Sequence, residues 1–289
     1  MLLVDDRPDR NPPLQVGGAA EVLAGRGAGP AAARNVGWRA SRQPWVVFVD
    51  DDVVPTDGWL EDLAYDLGSA APGVVAVQGR VTVPLPPHRR PTDWERNVSG
   101  LETAKWITAD MAVRRDALVA AGGFDERFPR AYREDADLAL RLQLDGGRMG
   151  VGRRRVLHPV RPAPWWVSLS TQAGNRDDAL MVALHGRHWQ ADEARPGRRP
   201  RHLATTALGL VGVVGICAGL PTLARAGLGG WLLGTAELAW ARIAPGPRDR
   251  REVAAMVATS VALPPVASYH WLAGLAARRR LLSQPPAAL

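Results

Sequence analysis

The sequence predicts an α/β domain followed by an apolar helical region. Over about residues 1–160, short apolar runs alternate with acidic or glycine-rich turns, a pattern typical of strands separated by helices. Two of these apolar runs end in adjacent aspartates. From about residue 200 onward, long stretches without charge replace the alternation. We therefore divide the chain into an α/β domain over residues 1–195 and a helical region over residues 196–289.

Four segments have the length and composition of strands. Residues 2–4 form a short apolar run at the start of the sequence. Trp45–Val49 is a run of apolar and β-branched residues, which favours a buried strand. Residues 74–77 and 80–83 are predicted to be two further strands of the same sheet.

Four helices are predicted between and after these strands. Residues 31–40 follow a Gly-Pro pair, and proline is favoured in the first turn of a helix. A second helix is expected over residues 58–67. Residues 116–121 and Glu134–Leu144 are each followed by a pair of glycines, which favours a helix end there.

The C-terminal region contains two long uncharged stretches. Residues 203–224 are long enough to cross a bilayer, which takes roughly 20 apolar residues. Residues 253–277 form the second stretch, which Pro264 and Pro265 interrupt. Arginines flank the region on both sides, so an even number of crossings is expected if both flanks are cytoplasmic. We predict two transmembrane helices or a hairpin that enters one leaflet; a soluble helical subdomain is the alternative.

The chain is basic, and the charge by itself does not indicate a partner. The net charge is +7, and Lys105 is the only lysine, so the positive charge comes almost entirely from arginine. Because no helix-turn-helix, zinc or RNA-recognition pattern accompanies the charge, we expect no nucleic-acid role. Cys217 is the only cysteine, which excludes an internal disulfide and a cysteine-rich metal site.

Acidic residues follow two of the predicted strands. Asp5 and Asp6 end the first strand, and Asp50, Asp51 and Asp52 end the run that begins at Trp45. In open α/β sheets, ligands bind outside the carboxyl ends of the strands. Adjacent carboxylates repel one another, and a hard divalent cation such as Mg²⁺ or Mn²⁺ offsets that repulsion. The pattern therefore predicts a diphosphate–metal site, with a solvated acidic turn as the alternative.

Three histidines are weaker candidates for a metal ligand: His158, and the pair His185 and His188, for which no third ligand is evident. His158 precedes Pro159 after a basic segment, and a loop histidine without a catalytic role is the simpler interpretation.

Four segments, in order, resemble the family 2 glycosyltransferases with a GT-A fold. Each segment alone is weakly specific, whereas four in the family's order are specific. The resemblance covers roughly residues 1–160. The first segment combines GPAAARNVG at residues 29–37 with FVDDDVVP at 48–55. The other three are TADMAVRR at 108–115, GGFDERF at 122–128 and REDADL at 133–138.

This resemblance implies a Rossmann-like nucleotide-sugar-binding sheet and a set of donor-binding residues. Asp50 and Asp52 correspond to the first and third positions of the family's DXD motif and would bind Mg²⁺ or Mn²⁺. The residues implied to contact the nucleotide-sugar donor are Asp5, Asp6, Arg34, Asn35 and Asp50.

The resemblance also implies a general base and an acceptor pocket. Asp135 would remove the proton from the attacking hydroxyl of the acceptor. Attack opposite the leaving group would invert the anomeric centre. The residues implied to line the pocket for an unknown glycan, lipid or small-molecule acceptor are Asp110, Gly123, Phe124, Asp125 and Glu134.

The sequence departs from the family pattern in two places. The family usually has one more strand and helix before residues 2–6, so we expect either a start codon placed too late or a remnant. Asp110 stands where the family commonly has a neutral polar residue.

The leading hypothesis is an inverting, metal-dependent glycosyltransferase at the cytoplasmic face of the membrane. The alternatives are a catalytically silent, truncated protein that binds a nucleotide sugar or a membrane partner, and a nucleotidyltransferase. The last lacks the early glycine-rich basic loop that such enzymes usually carry.

Overall fold

The computed structural model describes residues 1–18, 20–190 and 197–283, which form two compact units. Unit one comprises Met1–Pro84 and Leu101–Pro159, with residues 281–283. Unit two comprises Leu85–Gly100 and Val160–Arg280. The main division therefore falls near residue 160 and not near 195, because the segment after Pro159 packs with the C-terminal helices.

Seven strands occur in the described part of the chain, all within unit one. Five of them form one mixed sheet in the order β3-β6-β5-β7-β4. In that sheet β5 runs parallel to β7, whereas β6 runs antiparallel to both β3 and β5. The strands are β1 (Leu2–Asp5), β2 (Glu21–Ala24), β3 (Trp45–Val49), β4 (Val54–Pro55), β5 (Val74–Thr82), β6 (Asp110–Arg114) and β7 (Arg148–Leu157).

The first predicted strand is present, but it does not join the five-stranded sheet. β1 pairs in parallel with β2 and forms a separate two-stranded sheet, with Leu3 opposite Val22. The sequence analysis did not predict β2, because Glu21–Ala24 is short and lies among glycines. Asp5 and Asp50 thus follow strands of different sheets.

β5 is one strand where two were predicted. Val74–Thr82 is continuous, with irregular register against β7 between Val74 and Ala76 and again between Gln78 and Arg80. The glycine at position 79 suggested a break, but it is required by packing. A Cβ built there would lie 2.6 Å from Cγ of Asp110 on the neighbouring strand.

Ten α-helices are present among the described residues, and the bounds of α1, α2, α4 and α5 match the predicted helices to within one residue. α4 is followed by Gly122 in a left-handed conformation, and α5 by Gly146, as the glycine pairs predicted. The helices are α1 (Pro30–Ala40), α2 (Trp59–Gly68), α3 (Asp93–Ser99), α4 (Arg115–Ala120), α5 (Glu134–Leu144), α6 (Val167–Ser170), α7 (Asn175–His185), α8 (Arg199–Cys217), α9 (Pro221–Ile243) and α10 (Arg250–Leu282).

The core of unit one joins the sheet to helices α1, α4 and α5. Phe48 of β3 meets Phe124 edge to face, with ring centroids 5.1 Å apart. Trp38 of α1 and Leu138 of α5 pack into the same cluster and are almost fully buried. Burial of these apolar side chains fixes α1 and α5 against the sheet, and both helices carry residues of the predicted site.

Unit two contains a close-packed hairpin of α8 and α9. The predicted 203–224 stretch is interrupted, because α8 ends at Cys217 and α9 begins at Pro221. Gly212 and Gly215 of α8 face α9 so closely that an added Cβ at Gly215 would lie 2.5 Å from the backbone nitrogen of Ala224.

One described helix, α8, is long and apolar enough to cross a membrane. The second predicted span, residues 253–277, lies within α10, which continues through Pro264 and Pro265 but does not meet the same criterion. The count of about two transmembrane helices is therefore not supported. A single candidate helix by length and composition is weak evidence for spanning.

Candidate active site

A cluster of three charged side chains links three of the predicted motifs. The guanidinium of Arg34 on α1 donates to Oδ1 of Asp50 at 2.8 Å and to Oε1 of Glu134 at 2.7 Å. Arg34 is largely buried and also lies over the ring of Phe124, 5.6 Å from its centroid. The arginine thus holds the end of β3 next to the start of α5, which brings Asp135 to the same place.

Two carboxylates at the start of α5 are held in a low-dielectric environment. Burial raises the pKa of Glu134 to about 7, with repulsion from Asp135 as the second cause, although Arg34 opposes the change. Burial likewise raises the pKa of Asp135 above its usual value. Because the two groups interact, they titrate as a pair. Shifts of this kind are typical of groups that accept a proton during catalysis.

The residue before this pair has a strained backbone. Arg133 has a φ of +79°, a left-handed conformation that few residues other than glycine adopt. Its guanidinium stacks on Tyr132, 4.5 Å from the ring centroid. Such strain persists only where the surrounding structure enforces it, and it concentrates at functional sites.

Asp52 faces a histidine at the end of β7. Nε2 of His158 lies 3.5 Å from Oδ1 of Asp52. Nδ1 of His158 is buried and has no hydrogen-bond partner in the described part of the chain. The sequence analysis treated His158 as a loop histidine. The sequence does not indicate that His158 follows a strand, because the consecutive arginines in β7 mask the apolar–polar alternation of that strand.

The residues present fit a divalent cation that also takes ligands from a substrate. No group of three His, Cys, Asp or Glu side chains among the described residues could hold a metal by itself. Magnesium in such sites is commonly bound by one or two carboxylates plus phosphate oxygens. Asp52, with His158 beside it, has the carboxylate that this role requires. Asp50 was predicted as a second ligand, and one of its carboxylate oxygens accepts a hydrogen bond from Arg34.

The two aspartates after β1 are engaged in local contacts. Both oxygens of Asp5 accept hydrogen bonds from Arg7, at 2.8 Å, and these bonds lower the pKa of Asp5. The oxygens of Asp6 accept from the backbone nitrogens of Gly27 and Gly29, at 2.7 and 2.9 Å. Asp6 thereby holds the loop that leads into α1. Their predicted contact with the donor remains a prediction.

One predicted site residue on α1, Asn35, packs against two others, Gly123 and Phe124, in the loop between α4 and α5. Asn35 is fully buried, and its amide bonds both the backbone nitrogen and the backbone oxygen of Phe124. A Cβ added at Gly123 would lie 2.6 Å from the amide oxygen of Asn35. These contacts position the loop between α4 and α5. The predicted contact of Asn35 with the donor remains a prediction.

The two predicted acceptor aspartates are buried and already paired. Asp110 has no exposed surface; its carboxylate accepts from Nε of Arg154 at 2.7 Å and from Nε1 of Trp59 at 2.9 Å. Asp125 forms a two-pronged ion pair with Arg127. Neither carboxylate is open to an acceptor in this conformation. The departure of Asp110 from the family pattern is explained by Arg154, a fully buried partner that the sequence analysis missed.

Comparison with known families gives a partial match. Residues 4–122 match the family described as glycosyl transferase family 2. The Mycobacterium tuberculosis pre-mycofactocin glycosyltransferase, in strain CDC 1551 / Oshkosh and in strain H37Rv, is 35% identical over 135 residues. That alignment covers 42% of this chain and 28% of the relative, so the chain spans under a third of the mycobacterial protein.

Solved structures give a weaker similarity. S. aureus TarS 1-349 in complex with UDP-GlcNAc superposes with a TM-score of 0.42 at 13% identity, covering 96% of this chain and 82% of TarS 1-349. The complex with UDP gives 0.41, also at 13% identity, over 96% of this chain and 81% of TarS 1-349. Scores of this size carry no argument about the site. The sequence match is the finding that relates this chain to known proteins: residues 4–122 are similar to the glycosyl transferase family 2.

Proposed function

We propose that the chain transfers a sugar from a nucleoside-diphosphate donor to an acceptor hydroxyl, with inversion and with a divalent cation. The observation that carries the proposal is the bridge by which Arg34 joins Asp50 to Glu134. It supports a site in which the acidic segment after β3 and the start of α5 act on one substrate. The donor sugar, its base and the acceptor are open.

Asp135 is the proposed general base. Its carboxylate is partly buried at the first turn of α5, where the helix dipole favours a negative charge. One oxygen accepts a hydrogen bond of 2.7 Å from the backbone nitrogen of Ala136, which orients the group. A carboxylate whose pKa is raised toward neutrality binds a proton more readily than an ordinary aspartate. Asp135 can therefore take the proton of an attacking hydroxyl.

Arg34, Asp52 and His158 are the proposed diphosphate-binding residues. Arginine suits phosphate because its donors form a planar fork, and Arg34 is held in place by its two carboxylate partners. Asp52 and His158 would hold Mg²⁺ or Mn²⁺. That cation, when bound, would stabilise the negative charge on the leaving diphosphate.

A second candidate is a catalytically silent, truncated protein that binds a nucleotide sugar or a membrane partner. The separate sheet of β1 and β2 favours this candidate, because Asp5 and Asp6 do not follow a strand of the five-stranded sheet that carries Asp50. A nucleotide base would then lack part of the surface that the family resemblance implies.

We also propose that the chain works at the cytoplasmic face of a membrane. The support is the apolar surface of α8 and α9, where several large side chains are exposed, with arginines close by at the start of α8. The exposed side chains include Leu210, Val213, Ile216, Leu232 and Leu233.

Release of nucleoside diphosphate from a panel of nucleotide sugars, with Mn²⁺, tests the proposal. Asp135→Asn should slow release roughly a hundredfold or more, the usual contribution of a general base. Asp116→Asn is the matched control, because Asp116 also begins a helix and bonds the next backbone nitrogen, at 2.8 Å. Equal rates for the wild type and Asp135→Asn would refute the assigned base, and release in excess EDTA would refute metal dependence. Binding without release would favour the second candidate.

A further inference from the structure

A basic cavity lies in unit one, close in the sheet to His158 of the Asp52–His158 pair. It has a volume of about 540 Å³ and lies on the surface of β5 and β7, where the loop over residues 102–106 covers one side. Thr82 lines the cavity, and its backbone oxygen accepts a hydrogen bond of 2.8 Å from the backbone nitrogen of His158. A residue of the cavity lining is therefore hydrogen-bonded directly to a residue of the proposed diphosphate site.

Three cations and one carboxylate line the cavity: Arg80, Arg155 and Lys105, with Glu102. Glu102 accepts a hydrogen bond of 2.8 Å from the backbone nitrogen of Val83. Arg80 and Arg155 are directly opposite each other on β5 and β7. Arg80 donates from Nε to the backbone oxygen of Gly152 at 3.2 Å, and no ion pair joins Arg80, Arg155 or Lys105 to a carboxylate within the described residues. Like charges directly opposite across a strand pair destabilise it. An anion between them would offset that repulsion.

The covering loop is held in place and strained. Gln78 of β5 donates to the backbone oxygen of Ala104 and accepts from the backbone nitrogen of Ile107, both at 3.1 Å. Between these anchors, Trp106 has a φ of +62°, which is rare for so large a side chain. Lys105 is thereby presented at the wall of the cavity. A strained, anchored loop at a cavity wall is the kind of feature that binding sites retain.

We propose that this cavity binds an anionic group, a phosphate or a carboxylate, on the acceptor. The proposal rests on the proposed transferase function and adds the chemical class of the acceptor. Arg80 and Arg155 supply side-by-side guanidinium groups, which suit the oxygens of such an anion. Lys105 supplies a further positive charge from the loop over residues 102–106. The proximity of Thr82 to His158 would place the rest of the acceptor beside the proposed catalytic residues.

Arginine modification by phenylglyoxal tests the proposal with inorganic phosphate as the probe. The full chain, in EDTA, is modified with and without phosphate, and each arginine is followed by peptide mass spectrometry. We expect phosphate to slow modification at Arg80 and Arg155 and to leave Arg148 unchanged. Arg148 is the matched control because it begins the same strand, is exposed and does not line the cavity. Unchanged rates at Arg80 and Arg155 would overturn the proposal.

Equilibrium dialysis of radiolabelled phosphate gives the second measurement. The double variant Arg80→Gln/Arg155→Gln should bind phosphate roughly tenfold more weakly or worse, because charge-assisted bonds are lost. Arg80→Lys/Arg155→Lys should keep most of the binding, which separates charge from folding. Phosphate binding that survives the glutamine variant would contradict the assignment.

Two further measurements are needed. One distinguishes a lipid headgroup from a soluble anion, and the other separates the proposed anion site from the proposed transferase function. Protection by phosphatidylglycerol vesicles as well as by phosphate would assign the anion to a lipid headgroup, whereas phosphate alone would assign it to a soluble acceptor. Donor hydrolysis by the wild type without phosphate protection would defeat the anionic acceptor alone. Phosphate protection without donor hydrolysis would defeat the transferase function and leave an anion site.

Discussion

At the scale of single residues, the proposed catalysis depends on the interaction between two neighbouring carboxylates. Burial raises the pKa of both Glu134 and Asp135; the charge of Asp135 also raises the pKa of Glu134, and the charge of Asp50 that of Asp135. Because repulsion between two like charges is mutual, a charge on Glu134 also opposes ionisation of Asp135. A base works only when it is ionised. The rate should therefore fall as the pH drops through the apparent pKa of the pair, which lies closer to neutrality than that of an isolated aspartate.

Glu134→Gln should move this acid limb to lower pH. The variant removes the neighbouring charge, so Asp135 ionises more easily, while the glutamine oxygen can still accept from Arg34. The pH dependence of donor hydrolysis measures the change. Glu61→Gln on the exposed side of α2 removes one charge elsewhere and should leave the limb in place. An unshifted limb in Glu134→Gln would show that the two groups do not titrate together.

Arg154 is the residue on which the interior of the sheet depends most. Its guanidinium donates to Asp66 at 3.0 Å, to Asp110 at 2.7 Å and to the backbone oxygen of Val77 at 2.6 Å, without exposed surface. Arg154→Leu leaves two buried carboxylates unpaired, and breaking a buried pair costs roughly 3–5 kcal/mol. Urea unfolding should show this loss. Arg153→Leu, which removes only a cation–π contact with exposed Tyr65, should cost about 1 kcal/mol or less; similar losses would argue against the buried network.

At the scale of elements, the sequence predicted those whose signals are local. α1 was predicted from the proline at its start, and α5 from the glycine pair after its end. β3 was predicted from an unbroken apolar run. β7 was missed because consecutive arginines conceal its alternation, although Arg154 points inward and Arg153 outward. Arg154 is buried only because Asp66 and Asp110 face it, and that pairing is not visible in the local sequence.

The α8–α9 hairpin should depend on small residues at specific positions. A Cβ at Gly212 would lie 2.8 Å from the backbone nitrogen of Leu228, whereas a Cβ at Gly229 would meet nothing within 4 Å. Gly212→Ala should therefore lower the thermal unfolding temperature, because the helices must separate. Gly229→Ala should stabilise the helix by up to about 1 kcal/mol, since alanine favours helix over glycine. Changes of the same sign would show that the two helices do not pack as described.

At the scale of the whole molecule, the order of motifs predicted which residues meet in the site, but not how. Arg34 is 16 residues from Asp50 and 100 residues from Glu134, so only the fold could show that one guanidinium bridges them. The motifs imply that Asn35 and Asp110 contact the substrate, and the fold adds that both side chains are fully buried and bonded inside the protein. The sequence therefore predicts which charged residues lie at the centre of the site. It does not predict which of the other residues are buried, because burial depends on the fold.

The apolar surface of unit two leads to the last prediction. Leu233 on α9 is 74% exposed, and Leu144 at the end of α5 in unit one is 78% exposed. If α9 contacts lipid, Leu233→Glu should weaken flotation with phosphatidylglycerol vesicles roughly tenfold, because an apolar group is replaced by a charge. Leu144→Glu makes the same substitution at an equally exposed leucine of the other unit and should float as the wild type does. A wild type that stays unbound, or two variants that float alike, would exclude α9 as the membrane contact.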